Sequence, residues 1–157
     1  MHSDPADVVV AFLNTLDVEE QTDILDNQHR WRDWIGTTLP RTPISESGGE
    51  RDSARSLRTH LRALAAGERP THPQHVTASV ILDHRGVRLE SDTIVGSIAA
   101  AVAQLEIEGR WDRVKICPAD DCRWAFYDAS RNHSRQWCSM RVCGNRAKVR
   151  KHRERDA

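Results

Sequence analysis

The cysteines constrain this chain more than any other feature. There are four in 157 residues, none before residue 117, and they form two pairs of equal spacing. Cys117 and Cys122 bracket four residues, Cys138 and Cys143 bracket four more, and fifteen residues lie between the pairs. Four soft thiolates in two close pairs suit a tetrahedral Zn²⁺, and a full set of four leaves no open position for a substrate. A segment of about 40 residues also has too little core to fold alone, so a metal would supply much of its stability. Four unrelated core cysteines would explain neither the equal spacing nor the absence of cysteine elsewhere. The expectation is one structural Zn²⁺ per chain, on Cys117, Cys122, Cys138 and Cys143.

The formal charge is zero, but it is segregated. From Arg110 onward there are 13 Lys/Arg against 6 Asp/Glu, and residues 1–109 carry the opposite balance, 10 against 17. Such polarisation suggests a tail that meets a polyanion and a body that does not. No apolar run approaches the roughly 20 residues of a membrane span. The start, "MHSDPADVVVAFLNTLD", lacks the basic flank and small-residue cleavage site of a signal peptide. A cytoplasmic protein is therefore expected, with reduced thiols available to a metal and no membrane partner.

The body, residues 1–109, reads as mostly helical. Asp4 and Pro5 mark the cap and first turn of a helix through "PADVVVAFL". A second helix is expected to place Ile24, Gln28, Trp31 and Ile35 on one face and to stop at Gly36. "RTPISESGG" has loop chemistry. A third helix should turn Leu57, Leu61 and Leu64 inward and end at Gly67 and Pro70. Strands near 76–82 and 86–90 should form a β-hairpin turning at Asp83–Gly86, followed by an apolar helix ending at Gly109. Trp31 and Trp34, at helical spacing, belong in a core more readily than in a ligand pocket with His29. His72 and His75 lack acidic or cysteine partners for a second metal. His133 fits an exposed turn, and Trp111, Trp124 and Trp137 are expected to pack the C-terminal module.

That module, residues 110–157, ends in a basic run. Ser139 can cap a helix from about Met140 to Arg153, with Val142 and Val149 facing the module's own core. Lys148, Lys151 and Arg155 would lie opposite, flanked by the stripe Arg146, Arg150 and Arg153. Zinc would anchor the helix and aim its cations outward, where Arg can contact phosphate or guanine in a bidentate way. Arg131 and Arg135, in the preceding loop, would join the same surface.

The stretch "CPADDC…W…FYDASRNHSRQWCSMRVCGNRAKVRKHR" resembles the CGNR zinc finger, the tetrapeptide being Cys143, Gly144, Asn145 and Arg146. "FLNTLD", Phe12 to Asp17, and the Trp-containing second helix resemble the ABATE domain that precedes this finger in stress-responsive transcription regulators. The resemblance implies zinc on the four cysteines and double-stranded DNA as the finger's partner. The fold class expected is α+β, mostly helical: a helical domain with a small hairpin, then a treble-clef-like four-cysteine finger. In that reading the body serves as an effector domain for a small molecule or as the interface of a homodimer.

Two other readings stand beside it. The basic surface fits RNA as well as DNA. An enzyme, either a zinc-stabilised nuclease or a catalyst in the body, is the less expected class. His133, Asn145 and His152 offer fragments of a nuclease constellation without its spacing. The body also has no phosphate-binding glycine loop, no G-x-S-x-G elbow and no paired-carboxylate signature.

Overall fold

The computed structural model describes residues 4–43 and 48–155. Part of the expected loop at 41–49 lies outside the described residues. The elements follow in order: α1 (Pro5–Leu13), β1 (Leu16–Asp17), β2 (Thr22–Asp23), α2 (Gln28–Thr38), α3 (Gly48–Ala65), β3 (Ser79–Asp83), β4 (Gly86–Glu90), α4 (Ile94–Ile107), β5 (Val114–Ile116), β6 (Ala125–Tyr127) and α5 (Asn145–Arg155). The strands form three separate antiparallel hairpins, and helices dominate, so the α+β expectation holds.

Helix α1 begins where the sequence marks it. Asp4 accepts from the Ala6 amide at 2.8 Å, and Pro5 occupies the first turn. The helix buries Val9, Phe12 and Leu13 against Ile94, Ile98 and Leu105 of α4 and Leu57 and Leu61 of α3. Trp31 and Ile35 of α2 complete that side, and Trp34 stacks on Trp31 with ring centroids 5.0 Å apart. His29 pairs instead with Asp33 at the surface.

The second helix starts later than its periodicity suggested. Ile24–Asp26 is a 3₁₀ turn, and Asn27 in extended conformation caps α2 through the His29 and Arg30 amides. That break resets the phase, so Leu25 is fully buried and Gln28 is exposed. The helix also runs through Gly36 to Thr38, because Ile35 and Leu39 anchor both sides of the glycine in the core. In α3 the inward stripe is Ala54, Leu57, Arg58 and Leu61, continued by Ala65; Leu64 falls off it and is exposed. The β3 strand starts three residues later than expected, since Val76 leaves the strand to pack on the core.

The main core does not stop at the end of α4. Val114, Ile116 and Ala125, on β5 and β6, are buried in the same apolar cluster as the helices. Trp111 packs there too, rather than in the C-terminal module. A second, smaller cluster of Cys117, Ala119, Cys122, Phe126 and Cys143, with Trp137 against it, lies on the far side of this hairpin. The hairpin is a shared wall between body and finger.

Candidate metal centre

The β5–β6 hairpin carries the first cysteine pair on its connecting knuckle. The Cys122 amide donates to Ala119 O at 3.0 Å, the Arg123 amide donates to the same oxygen, and the Cys117 amide donates to Trp124 O at 2.8 Å. Arg123 takes a positive φ of 53° to close the turn. The second pair sits where the chain enters α5. Ser139 Oγ accepts from the Val142 amide at 3.3 Å and opens a wide π-helical turn, Met140–Gly144, that runs into α5.

The four Sγ atoms lie within 4.8 Å of one another. Cys122 and Cys138 are 3.5 Å apart at sulfur, and Cys138 and Cys143 are 3.6 Å apart. A tetrahedral zinc with bonds of about 2.3 Å separates its sulfurs by about 3.8 Å, so the set fits the ion, and it is far too open for disulfides. Burial pushes the Cys138 thiol well above its ordinary range and Cys143 up to about 11. Burial works the same way on Cys117, but amide donors from Cys138 and Ala119 outweigh it and lower that thiol. Without a cation, burial therefore favours the protonated form of Cys138 and Cys143. A dication reverses this, releasing protons as it binds, so affinity rises with pH.

The stretch Cys143 to Arg146 has a separate job at each position. Cys143 is a ligand. Gly144 allows close packing: a Cβ there would overlap Met140 Sδ and approach Trp137 Cδ1 to 3.3 Å. Asn145 Nδ2 donates to Arg141 O at 3.0 Å, one of the carbonyls around the wide turn. Arg146 reaches back to Glu19 of the body at 3.2 Å and lies 3.6 Å from Asp121 of the knuckle.

Between the cysteine pairs, a buried carboxylate organises the loop. Asp128 accepts from Lys115 Nζ at 2.6 Å, the Ser130 amide at 2.9 Å and the Arg135 amide at 3.0 Å. Burial favours the neutral acid, yet these donors win and hold its pKa far below the usual carboxylate range. Arg135 in turn lies over the Phe126 ring, 4.9 Å from its centroid, and donates to the Trp137 and Cys138 carbonyls. Sequence reasoning singled out neither Asp128 nor Lys115; the Asp-x-Ser turn at 128–130 is the signal that was available.

The basic residues separate into two groups. Lys148, Arg150, Lys151 and Arg153 are exposed on α5, and Arg131 is exposed in the loop. Arg135 and Arg146 carry the internal contacts just described. Val142 and Val149 are 39% and 50% exposed, contrary to the expectation that they line the module's core. The reason is geometric: α5 buries none of its residues and projects from the zinc turn, so there is no core beneath Val149. Trp124 is also partly exposed. His133, in a turn with positive φ, lies 3.1 Å from Asp112.

Polar ties join finger to body, several of them made by the "FLNTLD" stretch. Asn14 Nδ2 donates to Ala125 O at 2.9 Å, and the Ala125 amide donates back to Asn14 Oδ1 at 2.8 Å. Arg62 donates to Leu13 O and to Arg123 O, both at 2.7 Å. Arg110 connects Asp4, Glu108 and Tyr127 at the start of the module. Replacing Asn14 by Ala strands both backbone groups of the buried Ala125, at about 1–3 kcal/mol each. We expect thermal unfolding to fall by roughly 5–15 °C while zinc content is retained. An unchanged melting temperature would show that the Asn14 bridge carries no weight.

A cysteine knuckle on a β-hairpin, joined to a second cysteine pair at the start of a helix, is a treble-clef-like zinc finger with four thiolate donors, and that donor set accepts one zinc ion. The chain belongs to the ABATE family, described as "Putative stress-induced transcription regulator", which matches residues 6–122. Its C-terminal part matches the CGNR zinc finger over residues 113–156. Comparison with curated proteins yields no match. The two family patterns overlap at 113–122, the stretch of β5 and knuckle that lies between the two cores.

Proposed function

We propose that this protein is a DNA-binding transcription regulator of the cytoplasm, with residues 110–157 as reader and residues 1–109 as the sensing or dimerising body. One observation carries the reading. Lys148, Arg150, Lys151 and Arg153 stand on a helix that projects from the zinc turn, exposed and with no acidic partner among the described residues. Phosphate contacts are the natural use of such a surface. The thiolates fill their metal, which favours a structural role over catalysis. His133 faces Asp112, away from any nuclease constellation.

The test is a titration of the zinc-loaded chain against duplex DNA and duplex RNA at several salt concentrations. Four neutralised phosphates at about −0.9 each predict a slope of log affinity against log salt near −4. Lys151→Ala should weaken binding to every sequence and flatten the slope by about one. Arg150→Ala should in addition blur sequence preference, at a cost of roughly 1–3 kcal/mol. A variant lacking all four cations that binds as well as the parent would reduce α5 to a solvated face. Tighter binding to RNA would move the assignment to that polymer.

A further inference from the structure

The β3–β4 hairpin stands apart from both cores and presents apolar side chains to solvent. Its register places Val80 opposite Leu89 and Leu82 opposite Val87, so these four share one face. Val80, Leu82 and Val87 are 59%, 74% and 73% exposed. Among the described residues the sheet has two strands only. Such a ribbon is marginal in water, and a contiguous exposed apolar face on it marks an interaction surface. Strand β4 is the one that lies against α4, with Arg88 and Leu89 half-buried, which leaves β3 as the outer edge.

Charge separates the two edges. Arg88 on β4 is held by Asp83 and Glu90. Antiparallel pairing of β4 with a second β4 about a two-fold axis at Arg88 would bring two such clusters, each with one carboxylate in excess, against one another, a destabilising arrangement. The same operation on β3 puts Ile81 against Ile81, Val80 against Leu82 and the Ser79 hydroxyl against the Asp83 carboxylate. Nothing in that pairing repels. The apolar stripe then continues across the axis, and the two ribbons become one four-stranded sheet, a size that is stable where a lone hairpin is not. An isologous contact of this kind closes on itself.

We propose that β3 is a homodimerisation edge, paired antiparallel with the β3 of a second copy of this chain and centred on Ile81. The contact does not depend on whether α5 binds DNA, but it would set two basic helices in a fixed two-fold relation.

The experiment uses the full zinc-loaded chain. Sedimentation at increasing concentration should reveal a monomer–dimer equilibrium. Leu82→Lys, at an exposed position that the folded monomer tolerates, should weaken dimerisation about tenfold or more with zinc content and circular dichroism unchanged. Ile81→Cys should give a disulfide-linked dimer under mild oxidation, because facing residues of an antiparallel pair have Cα separations within disulfide reach. Arg88→Cys should not. A chain that stays monomeric at high micromolar concentration overturns the proposal, as does a Leu82→Lys variant that dimerises like the parent. Cross-linking through Arg88→Cys as efficient as through Ile81→Cys overturns the choice of edge.

Discussion

Changing Cys138 to Ser should lower the zinc content from about one ion per chain to near zero and unravel the finger beyond its first hairpin. Structural zinc contributes on the order of 10–16 kcal/mol in small fingers at neutral pH, more than the second cluster of buried side chains can replace. That cluster consists of three of the cysteines, Ala119 and Phe126, with Cys138 and Trp137 beside it. Remove the ion and most of what remains is thiols, of which burial keeps Cys138 and Cys143 protonated. Helix α5 has no buried residue to hold it, so its signal in circular dichroism should disappear with the metal. The body should persist and keep β5 and β6, since Val114, Ile116 and Ala125 belong to its own core. Limited proteolysis of the variant should cut after residue 128 and spare the helices of the body, α1 to α4. The same outcome is expected for the parent as pH falls, because protonating the thiolates competes with the metal. A Cys138→Ser protein that retained a full zinc ion and resisted protease would require a different ligand set.

How much of this could be read from residues alone depends on whether a feature repeats. The cysteine pairs announce themselves by spacing, and α1 by its Asp-Pro start. Helix α4 is legible as an apolar run because both its flanks are buried, against α1 on one side and α3 on the other. The β1–β2 turn was invisible: two-residue strands have no alternation, and its acidic residues read as solvated charge. The finger's inner order was equally hidden. A buried Asp128 is recognisable only once Lys115 and two backbone amides are seen around it, and those lie 2 to 13 residues away in sequence. The outward-facing Val142 and Val149 were misplaced for the converse reason. A helical wheel says which residues share a face, not whether anything lies beneath it. The cations Arg135 and Arg146 looked equivalent to Lys148 and Lys151 by composition; only the fold distinguishes those that hold the finger together from those left outside.

Asp23→Ala should be strongly destabilising to the body. Arg58 is 3% exposed and Asp23 14%, and they meet in a bidentate pair at 2.7 and 2.5 Å. Thr15 Oγ1 takes a further guanidinium donor at 2.8 Å, and Asp23 accepts from the Leu25 amide at 2.9 Å. Truncating Asp23 leaves a buried guanidinium without its counter-charge, at a cost of about 3–5 kcal/mol. For a chain of this length that lowers the melting temperature by roughly 10 °C. Asp26→Ala, which removes the largely exposed partner of Arg55, should cost less than about 1 kcal/mol. The comparison sets a buried bidentate pair against an exposed single contact. The pair also fixes the pH dependence. Burial pushes the Asp23 carboxyl upward, but the Arg58 and Leu25 donors outweigh it, and the folded pKa lies below the ordinary value. Its stabilisation is therefore complete above about pH 4, the pKa range of an unfolded aspartate, and disappears as pH falls through the folded value. Parent and Asp23→Ala melting curves should be far apart at pH 7 and should converge in acid. Curves that stayed equally separated at both pH values would mean that Asp23 acts by packing rather than charge. The effect should reach the finger, because Asp23 pairs with Leu16 to close the turn that carries Glu19, and Glu19 is the body's grip on Arg146 at the start of α5.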